Sequence, residues 1–279
     1  MKRDLTNFDA AIHAVDSRLV ILRYRALYRT PREFDALDAA DRRCAIPLET
    51  FARQLDALAG AGVAVIDPGK LLAEAPPRPG VVLTFDGAQA SHYQYALPLL
   101  IQRGLTAAFF ASVDRVGAGS ACNWAQLRDM AEHRMTIGSS GLSGMPFDAL
   151  SPAAAAAEFE ASRERLEEAV DRPVRHFAFP RGRYRRGQLT LGAAAGYRVF
   201  HGARIGAHRP ASLVPGSVLN RVPVLPGLDT DEFIGYALAA PLHLLRGRLA
   251  AEGRRVARAA SRAAAALLAP LAGCAGRGS

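Results

Sequence analysis

Cysteine is scarce in this chain of 279 residues, which contains only three. Cys44, Cys122 and Cys274 lie far apart and lack metal-ligand spacing, so the sequence indicates neither a disulfide framework nor a zinc–cysteine site. The first residues include acidic side chains where a secretory signal would need an apolar run. We therefore expect reduced thiols and a cytoplasmic protein.

A basic stripe interleaved with aromatic residues is also missing from residues 1–239. The formal charge of +9 is uneven: seven arginines against the single Glu252 give residues 240–279 a charge of +6, which leaves +3 for the rest. So weak a positive charge is not typical of a nucleic-acid-binding domain. We expect residues 1–239 not to bind nucleic acid. Only the tail, residues 240–279, is left for such a contact.

A Gly-x-Gly-x-x-Gly turn after the first predicted strand is absent too, which disfavours a dinucleotide-binding fold. Short apolar runs instead alternate with segments of helical periodicity, as in repeated strand–helix units around a mainly parallel sheet. This alternation predicts an α/β barrel, although an open doubly wound sheet would give a similar pattern. The predicted strands are 18–24, 63–66, 81–85, 106–111, 135–138, 176–179, 197–201 and 221–224.

Three helices have clear end signals. The segment 47–61 places its apolar residues on one helical face and ends at glycines. Asn123 is the predicted N-cap of a helix over 124–132, and Ser151 followed by Pro152 predicts the start of another that runs to about Val170.

Several polar residues follow directly after predicted strands. They are Asp86, Ser139 with Ser140, and Pro180 with Arg181. In a barrel the residues after each strand share one rim, and active sites lie at that rim. We therefore expect these positions to converge in space.

Six segments in order resemble the polysaccharide deacetylase family, also called the NodB-homology family or carbohydrate esterase family four, in its exopolysaccharide N-deacetylase branch. They are Leu22–Leu27, Phe51–Gly62, Thr84–Asp86, Tyr93–Phe110, Trp124–Leu127 and Phe177–Gly182. The similarity covers about residues 18 to 226. It implies a distorted (β/α) barrel domain over 18–239, with an N-terminal extension at 1–17 and an arginine- and alanine-rich tail at 240–279.

The segments that resemble the family's metal site lack its ligands. In active members the second Asp of a Thr-Phe-Asp-Asp-Gly motif and two histidines of a His-x-x-x-His segment hold a divalent metal such as zinc, and the first Asp is the base. By this resemblance Asp86 takes the base position, while Gly87, Ser140 and Gly144 take the ligand positions. Glycine has no side-chain donor and a serine hydroxyl is a poor substitute for imidazole, so we predict no metal cofactor.

Without a metal-activated water, Asp86 as a general base would supply a rate gain of only about a hundred- to ten-thousand-fold. We therefore interpret the chain as a catalytically degenerate homologue that binds a glycan or a protein of surface-polysaccharide biosynthesis. The alternative is an active hydrolase of carbon–nitrogen bonds in N-acetylated carbohydrates, which uses relocated ligands or no metal.

Four residues are candidates for substrate binding: Arg25, Arg181, Tyr184 and His92. Arg25 and Arg181 are predicted at the rim, and a salt bridge from Asp86 to an arginine is favoured over catalysis. The arginine run around Tyr184 suits carboxylates or phosphates, although such a run is usually a solvated loop. His92, six residues after Asp86, is the best candidate for a relocated ligand.

The tail has the pattern of a basic amphipathic helix, with arginines on one face and Leu245, Leu249 and Val256 roughly opposite. Two interpretations are open. In one, residues 240–270 bind an anionic membrane surface or an acidic partner, and binding to the membrane would hold the protein at the inner membrane surface. In the other, the helix packs against the barrel and is followed by a disordered end.

Overall fold

The computed structural model describes residues 18–72 and 79–268, with side chains described up to Ala257. The predicted N-terminal extension 1–17 and the last residues of the tail lie outside this part. The strands are β1 (Leu19–Tyr24), β2 (Ala26–Tyr28), β3 (Ala45–Pro47), β4 (Gly80–Asp86), β5 (Ala107–Ala111), β6 (Thr136–Ser139), β7 (His176–Ala178), β8 (Val199–His201), β9 (Ala207–His208), β10 (Val218–Leu219) and β11 (Val222–Pro223).

Helices connect most of these strands. They are α1 (Pro31–Ala36), α2 (Ala39–Arg42), α3 (Leu48–Gly60), α4 (Leu97–Gln102), α5 (Trp124–Glu132), α6 (Pro152–Val170), α7 (Gly187–Ala194), α8 (Thr230–Ala237) and α9 (Pro241–Leu268). A π-helical turn, His92–Ala96, precedes α4. Across the part of the chain that the structure describes, no helix combines the length and hydropathy needed to cross a bilayer.

The main sheet curls into a nearly closed barrel. Its parallel strands follow the order β10-β8-β7-β6-β5-β4-β1-β11, and β9 pairs antiparallel with β1. β10 and β11 stand at opposite ends of this order, yet Leu219 and Val222 are only three residues apart, a reach of about 11 Å at most. The two edges of the sheet therefore lie close together, and the predicted distorted (β/α) barrel is confirmed.

The sheet buries apolar side chains on both sides because alternate residues of a strand face opposite ways. The outer side packs against the helices in one large cluster that includes Leu22, Leu83 and Phe51. A smaller cluster fills the inside of the barrel: Leu19, Ile21, Leu71, Val82, Val199 and Leu219. The barrel is thus a packed core rather than a pore.

Local start signals determine where the predicted helices begin. Asn123 accepts a hydrogen bond from the Gln126 N–H and completes a capping box at the start of α5. Ser151 caps α6 in the same way, with Pro152 at the first helical position. The predicted strand at 63–66 is reduced to an isolated bridge between Val65 and Val81.

Gly138 of β6 tests the packing inside the barrel. A Cβ there would lie 2.6 Å from the Phe110 ring and 3.0 Å from the His176 carbonyl oxygen. The substitution Gly138→Ala should lower the free energy of unfolding by about 1–3 kcal/mol in urea titrations, because overpacking strains the core.

The matched control is Gly60→Ala at the end of α3, where an added Cβ meets nothing within 4 Å. This change should raise the free energy of unfolding by about 0.5–1 kcal/mol, since alanine favours the helix. Equal effects of the two substitutions would contradict the packing inside the barrel.

Candidate functional site

Charged side chains line the inner side of the barrel where the parallel strands end. On β1, Leu19 and Ile21 face the inside of the barrel, and Arg23 is the next residue on that side. On β4, Val82 faces inward, and Asp86, four residues later, lies on the same side. Arg221 comes two residues after the inward Leu219. The interior is therefore apolar toward one end and charged at the carboxyl-terminal rim, which we call the rim site.

Asp86 forms a two-point ion pair with Arg221. The two Nη atoms of the arginine lie 2.6 and 3.2 Å from the two carboxylate oxygens, and the arginine side chain is only 1% exposed. Its Nε donates to the Gly202 carbonyl oxygen at 2.9 Å, and its guanidinium carbon lies 5.6 Å from the centre of the Phe110 ring. Every nitrogen of this guanidinium is therefore engaged.

The ion pair controls the protonation of Asp86. Burial by itself raises the pKa of this carboxyl, but the charges of Arg221 and Arg23 outweigh burial and hold the pKa below its ordinary value. Asp86 is consequently ionised at neutral pH. The partner of Asp86 is Arg221, not Arg25 or Arg181 as the sequence suggested.

Arg25 lies against Gly87. Its Nε donates to Asp41 at 2.6 Å, and that carboxylate also accepts from the side-chain amide of Gln89. A Cβ built on Gly87 would lie 3.1 Å from Nη1 of Arg25. The guanidinium therefore lies where a side chain of residue 87 would project, which is the position that the resemblance assigns to a metal-binding carboxylate.

Arg23 is the least engaged cation of the rim site. Its Nε is 3.9 Å from Asp86, too far for a hydrogen bond, and its side chain is 23% exposed. Burial lowers the pKa of Arg23, and the charges of Arg221 and Arg25 lower it further, whereas the charge of Asp86 raises it. The three guanidinium groups of the rim site lie near the carboxylates of Asp86 and Asp41, and the charge of Asp38 also acts on Arg25.

The residues present do not fit a divalent metal. The Ser140 backbone N–H donates to the Ala111 carbonyl oxygen. A Cβ on Gly144, whose φ is +72°, would meet Ser112 Oγ at 2.8 Å. Among the described residues no group of three or more histidine, cysteine, aspartate or glutamate side chains is arranged to hold a metal ion. The donors that catalytic zinc prefers are thus missing beside Asp86.

His92 is fully buried. Its Nδ1 accepts from the Gln89 N–H at 3.0 Å, so its Nε2 carries the proton and donates to the Arg25 carbonyl oxygen at 2.6 Å. The ring packs against Phe85 and Phe109, and burial lowers its pKa to about 4. In this arrangement both ring nitrogens are used, and His92 holds the backbone of Arg25 in place.

Arg181 and Tyr184 lie in the loop after β7. Arg181 is exposed, with a φ of +57° in a 3₁₀ turn. The Tyr184 ring stacks on Phe179 with ring centres 4.3 Å apart and is partly buried in the outer cluster. The structure does not bring these two side chains into contact with Asp86, and their role in substrate binding stays a prediction.

Two features of the rim site were missed in the sequence. One is Arg221, and the other is a buried pair in which His176 Nδ1 lies 3.2 Å from His201 Nε2. For His201 a signal was available, because His201 lies two residues after the inward Val199 within the predicted strand 197–201. The predicted strand 221–224 placed Arg221 at the start of a strand, whereas in the structure Arg221 lies at the carboxyl-terminal rim of the barrel, between β10 and β11.

Comparisons with known proteins identify relatives of the chain. Residues 73–200 match the polysaccharide deacetylase family profile. The Bacillus subtilis protein YxkH, itself only inferred to be a polysaccharide deacetylase, is 27% identical over 157 residues. This match spans 56% of the chain and 55% of YxkH, so the chain matches little more than half the length of that relative.

Solved structures share the fold. The deacetylase PplD of Streptococcus pyogenes superposes with a TM-score of 0.69 at 22% identity, over 79% of this chain and 98% of PplD. IcaB of Ammonifex degensii gives a TM-score of 0.64 at 25% identity, over 79% of this chain and 96% of IcaB. The likeness to PplD concerns the fold alone.

The ion pair of Asp86 and Arg221 yields a stability prediction. Arg221→Ala should lower the free energy of unfolding at pH 7 by about 3–5 kcal/mol, because it removes one partner of a buried pair. Arg183→Ala breaks an exposed pair with Asp148 and should cost about 0–1 kcal/mol. If urea titrations showed the same loss in free energy of unfolding for both variants, the account of a buried ion pair would be contradicted.

Buried histidines yield a pH prediction. Burial lowers the pKa values of His92 and His176 to about 4 from an ordinary value near 6.5. The unfolded chain therefore takes up protons between about pH 6.5 and pH 4 while the folded chain does not. The free energy of unfolding should fall as the pH is lowered through this window, and His176→Leu should remove part of the fall. A pH profile that the substitution leaves unchanged would contradict this account.

Proposed function

We propose that this chain, whose residues 73–200 match the polysaccharide deacetylase profile, is a member of that family that has lost the metal-dependent reaction and binds an anionic glycan of surface-polysaccharide metabolism at the rim site. The observation that carries the proposal is the guanidinium of Arg25 beside Gly87. A fixed cation lies there instead of a carboxylate.

The position of Arg25 works against metal binding in two ways. Its charge would repel a divalent cation bound beside Asp86. Its pair with Asp41, whose side chain is 6% exposed, holds it in place. A metal could enter only if this ion pair moved, and Ser140 and Gly144 offer no imidazole in return.

The state of Asp86 works against hydrolysis without a metal. Both carboxylate oxygens are bound to Arg221, and the pKa of the carboxyl is below its ordinary value. A general base is most effective when its pKa lies near the working pH, so Asp86 would be a weak base toward water. The alternative of an active carbon–nitrogen hydrolase therefore has little support at this site.

Arg23 favours an anionic ligand. Its guanidinium makes no hydrogen bond among the described residues and lies beside two other arginines. A carboxylate or phosphate could accept two parallel hydrogen bonds from such a group. A glycan that carries uronic acid or phosphate groups has the required chemistry.

Calorimetry with a matched pair of sugars tests this function. Oligogalacturonate should bind, whereas the neutral, fully N-acetylated chito-oligosaccharide of equal length should bind more weakly. Arg23→Gln should weaken oligogalacturonate binding about tenfold, because a charged hydrogen bond contributes about 1.5–3 kcal/mol. Arg172→Gln is the control and should leave binding unchanged, since Arg172 is exposed and lies between α6 and β7, at the end of the barrel away from the rim site.

The same preparations should contain no stoichiometric zinc and release no acetate from N-acetylated chito-oligosaccharide. One tightly bound zinc per chain, together with acetate release that Asp86→Asn abolishes, would overturn the proposal. Oligogalacturonate binding that Arg181→Gln abolishes and Arg23→Gln leaves unchanged would assign binding to the loop after β7 instead of the rim site.

A further inference from the structure

Helix α9 carries a stripe of exposed apolar side chains, which we call the leucine stripe. It consists of Leu242, Leu245, Leu249 and Val256, which are 54%, 52%, 65% and 61% exposed. Spacings of three, four and seven residues place them on one side of the helix. They are four of the eight large apolar side chains exposed in the described part of the chain.

The opposite side of α9 attaches the helix to the barrel domain. Leu244 is 5% exposed, and Gly247 packs so closely on Tyr236 that an added Cβ would lie 2.8 Å from its hydroxyl oxygen. Arg248 Nε donates to the Ile205 carbonyl oxygen at 2.9 Å. The leucine stripe therefore does not hold the helix in place, and it faces outward.

Charged side chains flank the stripe. At 100° per residue, Arg246 lies to one side of it, and Glu252 and then Arg255 lie to the other. All three are exposed, and Arg255 pairs with Glu252 at 3.9 Å. Glu252 is the only acidic residue in the segment 240–279, which has a net charge of +6. An apolar stripe on a segment of this net charge matches the interface of an anionic bilayer, where acyl chains lie beneath phosphate groups.

We propose that α9 binds an anionic membrane surface through the leucine stripe and lies parallel to the bilayer plane. The net charge of +6 in the segment 240–279 favours this occupant over a second copy of the chain, because anionic lipid attracts that charge and a second copy repels it. The proposal is independent of the glycan that the rim site binds.

The attachment of α9 also relates the membrane to the rim site. The loop 202–206 accepts a hydrogen bond from Arg221 at Gly202 and one from Arg248 at Ile205. These acceptors are three residues apart, at most about 11 Å of chain. A membrane-bound α9 would therefore hold the rim site near the lipid surface.

Vesicle flotation of the full chain tests the proposal. Vesicles of equal parts phosphatidylglycerol and phosphatidylcholine should bind the protein at least about tenfold more strongly than phosphatidylcholine alone, because juxtamembrane arginines are attracted to anionic lipids. The double variant Leu245→Glu/Leu249→Glu should lose this binding. The matched control Ile101→Glu/Val214→Glu changes two exposed apolar residues outside α9 and should bind like the wild type.

Two results would overturn the proposal. One is anionic-vesicle binding that is absent in the wild type or unaffected by the changes in the leucine stripe. The other is a wild-type dimer in analytical ultracentrifugation that the same double variant dissociates, which would make the stripe an interface between copies. Circular dichroism of each variant shows whether the helix is retained.

Discussion

The ion pair between Asp86 and Arg221 is the contact on which the barrel and the rim site both depend. Asp86 ends β4, the third strand from the β11 edge of the sheet, whereas Arg221 lies between β10 and β11, where the two sheet edges meet. The pair therefore ties an inner strand of the sheet to the place where its edges meet. Arg221 is only 1% exposed, so its buried charge would be strongly destabilising without a charged partner. Asp86 is that partner, and the pair keeps its carboxylate deprotonated.

The chemistry of the rim follows from that constraint. Asp86 is committed to Arg221, and Asp41 is committed to Arg25, whose guanidinium lies against Gly87. Arg23 is left with a weak contact at 3.9 Å. The proposal that the rim site binds an anion instead of a metal ion rests on this arrangement. The outward leucine stripe of α9 adds a second surface whose chemistry suits lipid.

Sequence reasoning predicted the barrel well because its strands and helices have local signals. The capping residues Asn123 and Ser151 lie at helix starts as predicted, and the predicted strand 81–85 lies within β4, whose apolar run is buried on both sides of the sheet. Arg221 was missed because the strands around it are two residues long, too short for a periodic pattern. The burial of His92 was missed because its partners are backbone groups, which no side-chain pattern reveals.

The most direct measurement is a crystal structure of the protein grown with excess zinc and an oligogalacturonate, with diffraction recorded at the zinc absorption edge. The account predicts no anomalous peak beside Asp86, the guanidinium of Arg25 against Gly87, and a ligand carboxylate on Arg23. A zinc peak coordinated by Asp86, with Arg25 displaced, would contradict it.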